Sequence, residues 1–372
     1  MKILFVHQNF PGQFLHLAPE LQRRGHECLG LTDSQNKRSS VIPVVRYTHD
    51  VVAVDPAATR LGRNYTQMSD RGVTVARAAS QLRDKRGYIP DVIIGHSGWG
   101  ETLFLKEVWP AAKLVVYAEF YYRGQGADVG FDPEFNPPNF DQVMISQGRA
   151  AHLGQALLHA DAGLSPTEWQ ANSYPAALRK LIEVIHDGVD TDVMQPNADA
   201  NFTLPNGTVL RAGDEVSYGA APKGAKGWKE VILDEVRDRI DPARVHFLGR
   251  VPYDQFTTLM QIARVHAYLT YPFVLSWSML EAMAAGALIV GSRTTPVQEV
   301  IDHGKNGLLV DFFDVAGWAT LLTDALGNPQ NYASLRTQAR QTILDKYDLR
   351  SRSLPRLVTY IEGQMPAVTA RS

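Results

Sequence analysis

Short apolar runs alternate with amphipathic stretches along the first half of the chain. Residues 2–7 form the first apolar run, and the next stretch carries Phe14, Leu17, Ala18 and Leu21 at helical spacing before it stops at Gly25. Strands separated by helices indicate a parallel sheet, which binds ligands at the carboxyl ends of its strands. The same alternation predicts further strands at 28–32, 41–47, 91–95, 113–120 and 182–186, and helices at 65–85, from 101, and at 142–159.

The alternation stops near residues 188–205, where a polar stretch at 195–201 predicts a boundary between two domains. A hairpin is predicted at 204–216 around Asn206-Gly207, followed by a loop rich in Gly and Lys at 218–229. We therefore predict a first domain at 1–190, a second at 191–350, and a helix within 351–372 that packs back towards the first domain. The second half predicts strands at 245–248, 267–270, 288–291 and 307–310, and helices at 231–239, 253–263, 278–285, 296–302 and from 318 and 333.

Composition narrows the function classes. The 372 residues carry a net charge of −2, which argues against a general nucleic-acid binder. One cysteine, Cys28, excludes an internal disulfide framework and a cysteine-based metal site, and it favours a reducing compartment. The first apolar run is too short for a signal peptide, and we expect a cytoplasmic protein. Peripheral contact with the inner face of the membrane and homo-oligomerisation stay open.

The stretch 271–311 carries the strongest chemical signal. A loop leads into a helix predicted to open at Ser278, and the free N–H groups of a helix N-terminus bind phosphate. Glu281 lies one turn further on, where its carboxylate could accept two ribose hydroxyls. The spacing from Ser278 to Glu281 equally fits a capping box, which would make Glu281 structural.

Four motifs together resemble glycosyltransferase family 4. They are Lys2-Ile3-Leu4-Phe5-Val6 with its loop to Gly12, Asp187-Gly188-Val189-Asp190, Val245 to Val251, and 271–299 with 304–310. The resemblance implies a GT-B fold: two Rossmann-like α/β domains with parallel sheets that face each other across a cleft. It also implies sugar transfer from a nucleotide-sugar donor, with retained anomeric configuration and without a metal or another cofactor. The acceptor would be a sugar, a lipid-linked molecule or a small molecule.

The resemblance also assigns roles by position. Glu281 would hold the donor ribose, and backbone groups of Ser276, Trp277 and Ser278 would meet the diphosphate. The loop of Pro11, Gly12 and Gln13 would lie under the diphosphate and sugar, although Gly12 could equally be an ordinary turn glycine. The base would be framed by Gly249, Arg250 and Val251.

Two departures from the family pattern place the substrate in doubt. Phe273 stands where a Glu often contacts the donor sugar, and Val274, Leu275 and Ser276 follow where small glycines are usual. The second domain also lacks a strand–helix–strand unit whose loop carries the cations for the diphosphate. Such a unit needs about 30 residues or more. The nearest replacement cations are Lys223, Lys226 and Lys229, unless these lysines only form a solvated loop.

The missing unit predicts a smaller second sheet than the first. The lost strand should leave a gap beside the diphosphate position, and a parallel sheet cannot leave such a gap exposed. The hairpin at 204–216 or a partner chain would cover it.

In the first domain, polar residues follow two predicted strands. His96, Ser97, Trp99 and Glu101 come after the strand at 91–95 and are expected on the acceptor side of the cleft. Glu119 ends the next strand and could orient an acceptor hydroxyl or act as a base. The alternative for Glu119 is an ion pair with a basic side chain such as Arg123.

Other chemistries have little support in the sequence. Asp190-Thr191-Asp192 matches the Asp-x-Asp of metal-dependent transferases, but a three-residue pattern is weak and we expect no metal site. A Gly-x-Gly-x-x-Gly loop after the first strand and a Gly-x-Ser-x-Gly elbow are both absent, against a dehydrogenase and a serine hydrolase. The rivals to a transferase are a non-enzymatic remnant that binds donor weakly and a sugar-nucleotide epimerase.

Overall fold

The first domain is built on a parallel sheet of seven strands. The structure, a computed structural model, describes residues 1–51, 53, 60–135, 137, 139–219, 233–241 and 243–364. The strand order is β3-β2-β1-β4-β5-β6-β7, with parallel pairing throughout. The strands are β1 (Lys2–Val6), β2 (Glu27–Asp33), β3 (Val44–Tyr47), β4 (Val92–His96), β5 (Lys113–Tyr117), β6 (Ala162–Ser165) and β7 (Ile182–Val184).

Helices cover both faces of this sheet and bury two apolar cores. Side chains alternate across a strand, so Leu4 and Val6 enter one core while Ile3 and Phe5 enter the other. A short 3₁₀ turn, Ser97–Trp99, precedes the predicted helix from 101, whose α-helical part is confined to α3. The helices are α1 (Leu17–Arg23), α2 (Arg60–Arg86), α3 (Leu105–Val108), α4 (Phe140–Leu158), α5 (Glu168–Ala171) and α6 (Ala176–Arg179).

Among the residues that the structure describes, the sheet of the second domain has fewer strands than that of the first, as the sequence predicts. Its four described strands pair in parallel in the order β10-β11-β12-β13, beside a separate antiparallel hairpin of β8 and β9. The hairpin packs on a helix rather than on the sheet edge, because Phe202 and Leu204 share a core with Leu259 and Met260. The strands are β8 (Asn201–Thr203), β9 (Val209–Arg211), β10 (Ser217–Gly219), β11 (Val265–Tyr268), β12 (Leu288–Ser292) and β13 (Leu308–Val310).

One predicted strand of the second domain is wrong. Residues 245–248 form no strand, and Val245 and Phe247 are 42% and 39% exposed, so this segment is not a core strand. Much of the loop predicted at 218–229, with its three lysines, lies outside the described residues. The helices from residue 253 onward are α7 (Tyr253–Ile262), α8 (Trp277–Ala285), α9 (Thr295–Gln298), α10 (Val315–Gly327), α11 (Ala333–Lys346) and α12 (Leu354–Gly363).

The chain crosses between the domains twice, and the two crossings are hydrogen-bonded to each other. The Val189 N–H donates to the Tyr347 carbonyl at 2.8 Å, and the Leu349 N–H donates back to the Val189 carbonyl at 2.9 Å. After the second crossing, α12 inserts Leu357 and Ile361 into a first-domain core. No described helix combines the length and the apolar character that crossing a membrane requires.

Candidate functional site

Three ionisable side chains meet at the carboxyl edge of the first sheet, after β1, β4 and β5. His7 Nδ1 accepts the Asn9 N–H at 2.9 Å, so neutral His7 carries its proton on Nε2 and donates it to Gln13 Oε1, also at 2.9 Å. His96 Nδ1 accepts the Gly98 N–H at 2.9 Å, which leaves His96 Nε2 facing Glu119 Oε2 at 3.6 Å. The backbone therefore fixes the tautomer of both histidines.

Glu119 is held between these histidines as an anion. Gln13 Nε2 donates to Glu119 Oε1 at 3.3 Å, so each carboxylate oxygen faces a donor. Burial raises the pKa of Glu119, but its contacts with His96 and Gln13 outweigh burial and bring the pKa below its usual value. Burial, with His96 nearby, lowers the pKa of His7 to about 3, so His7 is neutral at pH 7. The side chain of Glu119 is 34% exposed and can meet a substrate.

Arg123 is not the basic partner of Glu119, and the basic side chain that lies against this carboxylate is His96. Arg123 donates to the backbone carbonyls of Ser173 and Asn172 instead. Gly12, predicted beneath the donor, lies against His7: its φ is +51°, and a Cβ there would lie 2.6 Å from the His7 ring. Glycine is therefore required at this turn whatever the ligand.

Of the four residues predicted on the acceptor side, one is half-buried and three are buried. Trp99 is half-buried and its ring lies 4.4 Å from the His96 ring, centroid to centroid. His96, Ser97 and Glu101 do not fit the prediction of direct acceptor contact, because all three are buried. The Ser97 hydroxyl donates to the Tyr117 carbonyl, and Glu101 accepts the Tyr47 hydroxyl.

In the second domain, α8 presents its N-terminus where the sequence places the donor phosphates. Ser276 is the N-cap, and its hydroxyl accepts the Ser278 N–H at 3.4 Å. The predicted capping box from Ser278 to Glu281 is therefore wrong, because the N-cap is Ser276, two residues before Ser278. The Ser276 N–H donates to the Tyr268 hydroxyl at 2.8 Å, so the predicted diphosphate contact of that group needs this bond to break.

Glu281 contacts a residue outside its own helix. Its Oε1 accepts the Tyr253 hydroxyl at 2.8 Å, which joins the first residue of α7 to α8. Burial raises the pKa of Glu281, and the Tyr253 hydrogen bond opposes part of that rise. Tyr253 is also one of the residues that line a cavity of about 580 Å³. The full lining is Gly249, Arg250, Val251, Pro252, Tyr253 and Phe256. The predicted base and ribose positions are therefore neighbours.

The segment 273–275, predicted to contact the donor sugar, packs instead on protein. Phe273 crosses the domain interface to Phe120, with 4.7 Å between ring centroids, and its carbonyl accepts the Trp169 indole N–H at 2.9 Å. Leu275 is buried in the second-domain core, which removes it from the predicted donor contacts, and Val274 is half-buried. The sequence did not reveal Trp169 because its partner lies 104 residues away.

Asp190 and Asp192 form ion pairs with an arginine. Arg350 approaches Asp190 Oδ2 at 3.2 Å and Asp192 Oδ2 at 2.8 Å. Among the described residues, no group of three or more His, Cys, Asp or Glu side chains is arranged to hold a metal ion. Lys223, Lys226 and Lys229, predicted as phosphate cations, lie outside the described part of the chain.

Two family models match the chain over most of its length. One, described as Glycosyl transferase family 4 group, matches residues 24–194, and the other, Glycosyl transferases group 1, matches residues 223–342. Together with the geometry of two parallel α/β domains, these matches show that the chain belongs to the GT-B glycosyltransferases of family 4.

Similar proteins with curated names are matched over part of their length. D-inositol 3-phosphate glycosyltransferase of Mycolicibacterium smegmatis is 27% identical over 208 residues, covering 48% of each chain. N-acetyl-alpha-D-glucosaminyl L-malate synthase of Bacillus anthracis is 28% identical over 116 residues, covering 31% of this chain and 30% of that protein. The chain thus spans about half or less of the length of these relatives.

Solved structures with the same fold are matched over nearly the whole chain. Sucrose-phosphate synthase of Thermosynechococcus elongatus has a TM-score of 0.71 at 16% identity, with 97% of this chain and 98% of that chain covered. Anabaena Alr3699/HepE, solved in complex with UDP-glucose, has a TM-score of 0.66 at 14% identity, with 98% and 100% covered. At these identities the likeness establishes the GT-B fold.

Proposed function

We propose that the protein transfers a sugar from a nucleotide-sugar donor to an acceptor hydroxyl with retained anomeric configuration. The observation that carries the proposal is Glu281, whose carboxylate lies beside the 580 Å³ cavity and one turn inside the helix that begins at Trp277. In this assignment the cavity takes the base, Glu281 takes the ribose, and the start of α8 takes the diphosphate. UDP-glucose in the complex of Anabaena HepE is a ligand of the same class.

The first domain supplies the acceptor side. Glu119 is an anion at the carboxyl edge of the sheet, and its exposed part can accept a hydrogen bond from an acceptor hydroxyl and orient its oxygen. Because His7 and Gln13 on one side and His96 on the other hold the carboxylate, its orientation is fixed before substrate arrives. Such pre-organisation lowers the barrier to the reaction.

The chemical step places negative charge on the departing diphosphate. The N–H groups at the start of α8 would stabilise that charge as it develops, in the way fixed dipoles stabilise other anionic transition states. The acceptor hydroxyl forms the new glycosidic bond, the bond to the diphosphate breaks, and the hydroxyl proton leaves with the diphosphate or passes to Glu119.

A binding screen followed by a transfer assay tests this assignment. Thermal shift with UDP-, GDP- and ADP-sugars identifies the donor, and release of nucleoside diphosphate then reports turnover. We expect Glu281→Gln to weaken donor binding about 5- to 150-fold, the equivalent of 1–3 kcal/mol for a buried partner left unpaired. We expect Glu119→Gln to bind donor as the wild type does but to lose about 10²-fold or more in turnover. The exposed Glu107→Gln is the control.

The second candidate is a remnant that binds donor without transferring it. It is favoured by the four described strands of the second sheet, against seven in the first. Donor binding without release of nucleoside diphosphate, with any acceptor offered, would support it. Epimerisation of the sugar nucleotide without an acceptor would instead support the epimerase.

A further inference from the structure

Tyr253 joins two parts of the donor site, and nothing in the proposed roles accounts for it. Its hydroxyl donates to Glu281 Oε1 at 2.8 Å, while its ring stacks on Phe256 with 6.0 Å between centroids and 25° between planes. Both rings line the 580 Å³ cavity. The side chain therefore contacts the carboxylate assigned to the ribose and the cavity assigned to the base.

The hydrogen bond constrains what Glu281 can do. A carboxylate is an acceptor with two oxygens, and Tyr253 already occupies one lone pair of Oε1. Oε2 therefore remains as the oxygen best placed to accept a sugar hydroxyl. Because the Tyr253 hydroxyl also holds the carboxylate plane, the direction in which Oε2 points is fixed by residue 253.

We propose that Tyr253 is a positioning residue that makes Glu281 select ribose over deoxyribose in the nucleotide of the donor. This inference rests on the proposed function, since it assigns a role within the same site. The Tyr253 hydroxyl orients the carboxylate towards one hydroxyl of the ribose, and the Tyr253 ring forms a face of the base cavity. The hydroxyl and the ring can therefore be removed separately.

The test uses three nucleoside diphosphates on the base that the screen selects: the ribose form, the 2′-deoxy form and the 3′-deoxy form. Titration calorimetry measures their affinity for the wild type, Tyr253→Phe, Tyr253→Ala and Glu281→Gln. In the wild type we expect one deoxy form to bind at least fivefold more weakly than the ribose form. We expect Tyr253→Phe to reduce that ratio to below twofold while the deoxy form keeps its affinity. Tyr253→Ala should weaken all three ligands because the ring is lost.

The double variant separates positioning from an independent effect. If Tyr253 acts through Glu281, Tyr253→Phe in the Glu281→Gln background should change the ribose-to-deoxyribose ratio by less than twofold. The matched control is Tyr332→Phe, which removes another tyrosine–carboxylate hydrogen bond of the second domain, to Asp324. Tyr253 is 56% exposed, so its loss should leave the fold intact, and a melting curve checks this.

Each outcome decides between the two proposals. Nucleotide binding with an unchanged ratio in Tyr253→Phe, or additive effects in the double variant, overturns this inference alone. Failure of the wild type to bind any nucleotide in the screen overturns the proposed function, and this inference with it.

Discussion

Glu299 of the second domain accepts the backbone N–H of Trp169 in the first domain, with 2.7 Å between Oε2 and N. Its other oxygen accepts the N–H of Glu168 at 2.8 Å. The Glu299 carboxylate therefore accepts hydrogen bonds from the N–H groups of the first two residues of α5. The first four N–H groups of a helix lack partners within the helix. A side chain from the other domain therefore completes α5 and ties the two domains together.

We predict that Glu299→Ala weakens the interface between the domains. Two N–H groups lose their acceptor, which should cost about 1–3 kcal/mol in the free energy of unfolding. Urea unfolding measures the loss, and small-angle scattering should record a larger radius of gyration. Glu168→Gln is the control, because that side chain is 57% exposed and pairs with Arg179 in its own domain. An unchanged urea midpoint in Glu299→Ala would show that the Glu299 hydrogen bonds do not stabilise the contact between the domains.

Structural elements are predictable from the sequence where the residues that determine them are adjacent in the chain. β1, β4 and β12 each contain three or more consecutive apolar residues, and their position follows from the residues themselves. β6 is only Ala-Gly-Leu-Ser, four mostly small residues whose pattern does not predict a strand. Residues 245–248 have the composition of a strand, yet they form none and are partly exposed, since a strand needs a neighbouring strand that composition does not reveal.

In the candidate site, too, local features were predictable from the sequence and long-range contacts were not. The start of α8 near residue 278 and the polar residues after β4 and β5 were predictable from short motifs. The partners were not: Tyr253 lies 28 residues before Glu281, and Trp169 lies 104 residues before Phe273. The local capping-box pattern at Ser278 was misleading because the Ser276 side chain, with the Tyr268 hydroxyl on its N–H, starts the helix earlier.

Glu101 should make the stability of the protein depend on pH. Burial raises the pKa of this carboxyl to about 7, from an ordinary value of 4.5. The folded form therefore keeps the proton that the unfolded chain releases above pH 4.5, and stability falls as the pH rises from about 4.5 to 7. Each unit of pKa shift corresponds to about 1.4 kcal/mol. Glu101→Gln should remove this decline because the neutral amide still accepts the Tyr47 hydroxyl.

The measurement for Glu101 is the melting temperature from pH 4 to 8. The difference between Glu101→Gln and the wild type should grow in favour of the variant as the pH rises. Glu107→Gln, an exposed neighbour, should follow the wild type at every pH. Parallel curves for Glu101→Gln and wild type would show that Glu101 ionises normally in the fold.

Divalent cations should leave the protein unchanged at the Asp190-Thr191-Asp192 motif. Both carboxylates pair with Arg350, which supplies the positive charge a metal would bring. We therefore expect the same melting temperature in EDTA and in about 5 mM Mn²⁺. Millimolar Mn²⁺ is enough to saturate weak carboxylate sites. A Mn²⁺-dependent rise that Asp192→Asn abolishes would be the contrary result.

The C-terminal helix α12 should stabilise the first domain although it follows the second in sequence. Ile361 is fully buried in a first-domain core with Ile3 and Leu21. Ile361→Ala should cost about 2–5 kcal/mol in the free energy of unfolding, through lost apolar contact and a cavity. Urea unfolding measures it, and Val315→Ala, at a position 79% exposed, should cost under 0.5 kcal/mol. Equal effects of the two changes would mean that α12 does not contribute to that core.

The negative charge of the donor diphosphate requires positively charged side chains near its binding position. The start of α8 offers N–H groups, but the Ser276 N–H is already bonded to Tyr268, so the helix alone is a weak anion site. Arg250 lines the base cavity and is exposed, and the only other candidates from the sequence are the three lysines of the loop at 218–229. We expect Arg250→Ala combined with alanine at Lys223, Lys226 and Lys229 to reduce affinity for a nucleoside diphosphate at least tenfold.

Salt dependence and a charge-matched control make that result specific to the site. Wild-type affinity should fall as KCl rises from 50 to 500 mM, because screening shortens from roughly 14 to 4 Å, whereas the four-residue variant should lose most of this dependence. A variant that changes only Lys223, Lys226 and Lys229 should bind the nucleoside without phosphate as the wild type does, since it keeps Arg250, which lines the base cavity. The control removes four basic side chains elsewhere in the chain, those of Lys37, Arg77, Lys85 and Arg86, which are exposed. If the four-residue variant binds and turns over donor as the wild type does, another element of the fold supplies the missing positive charge.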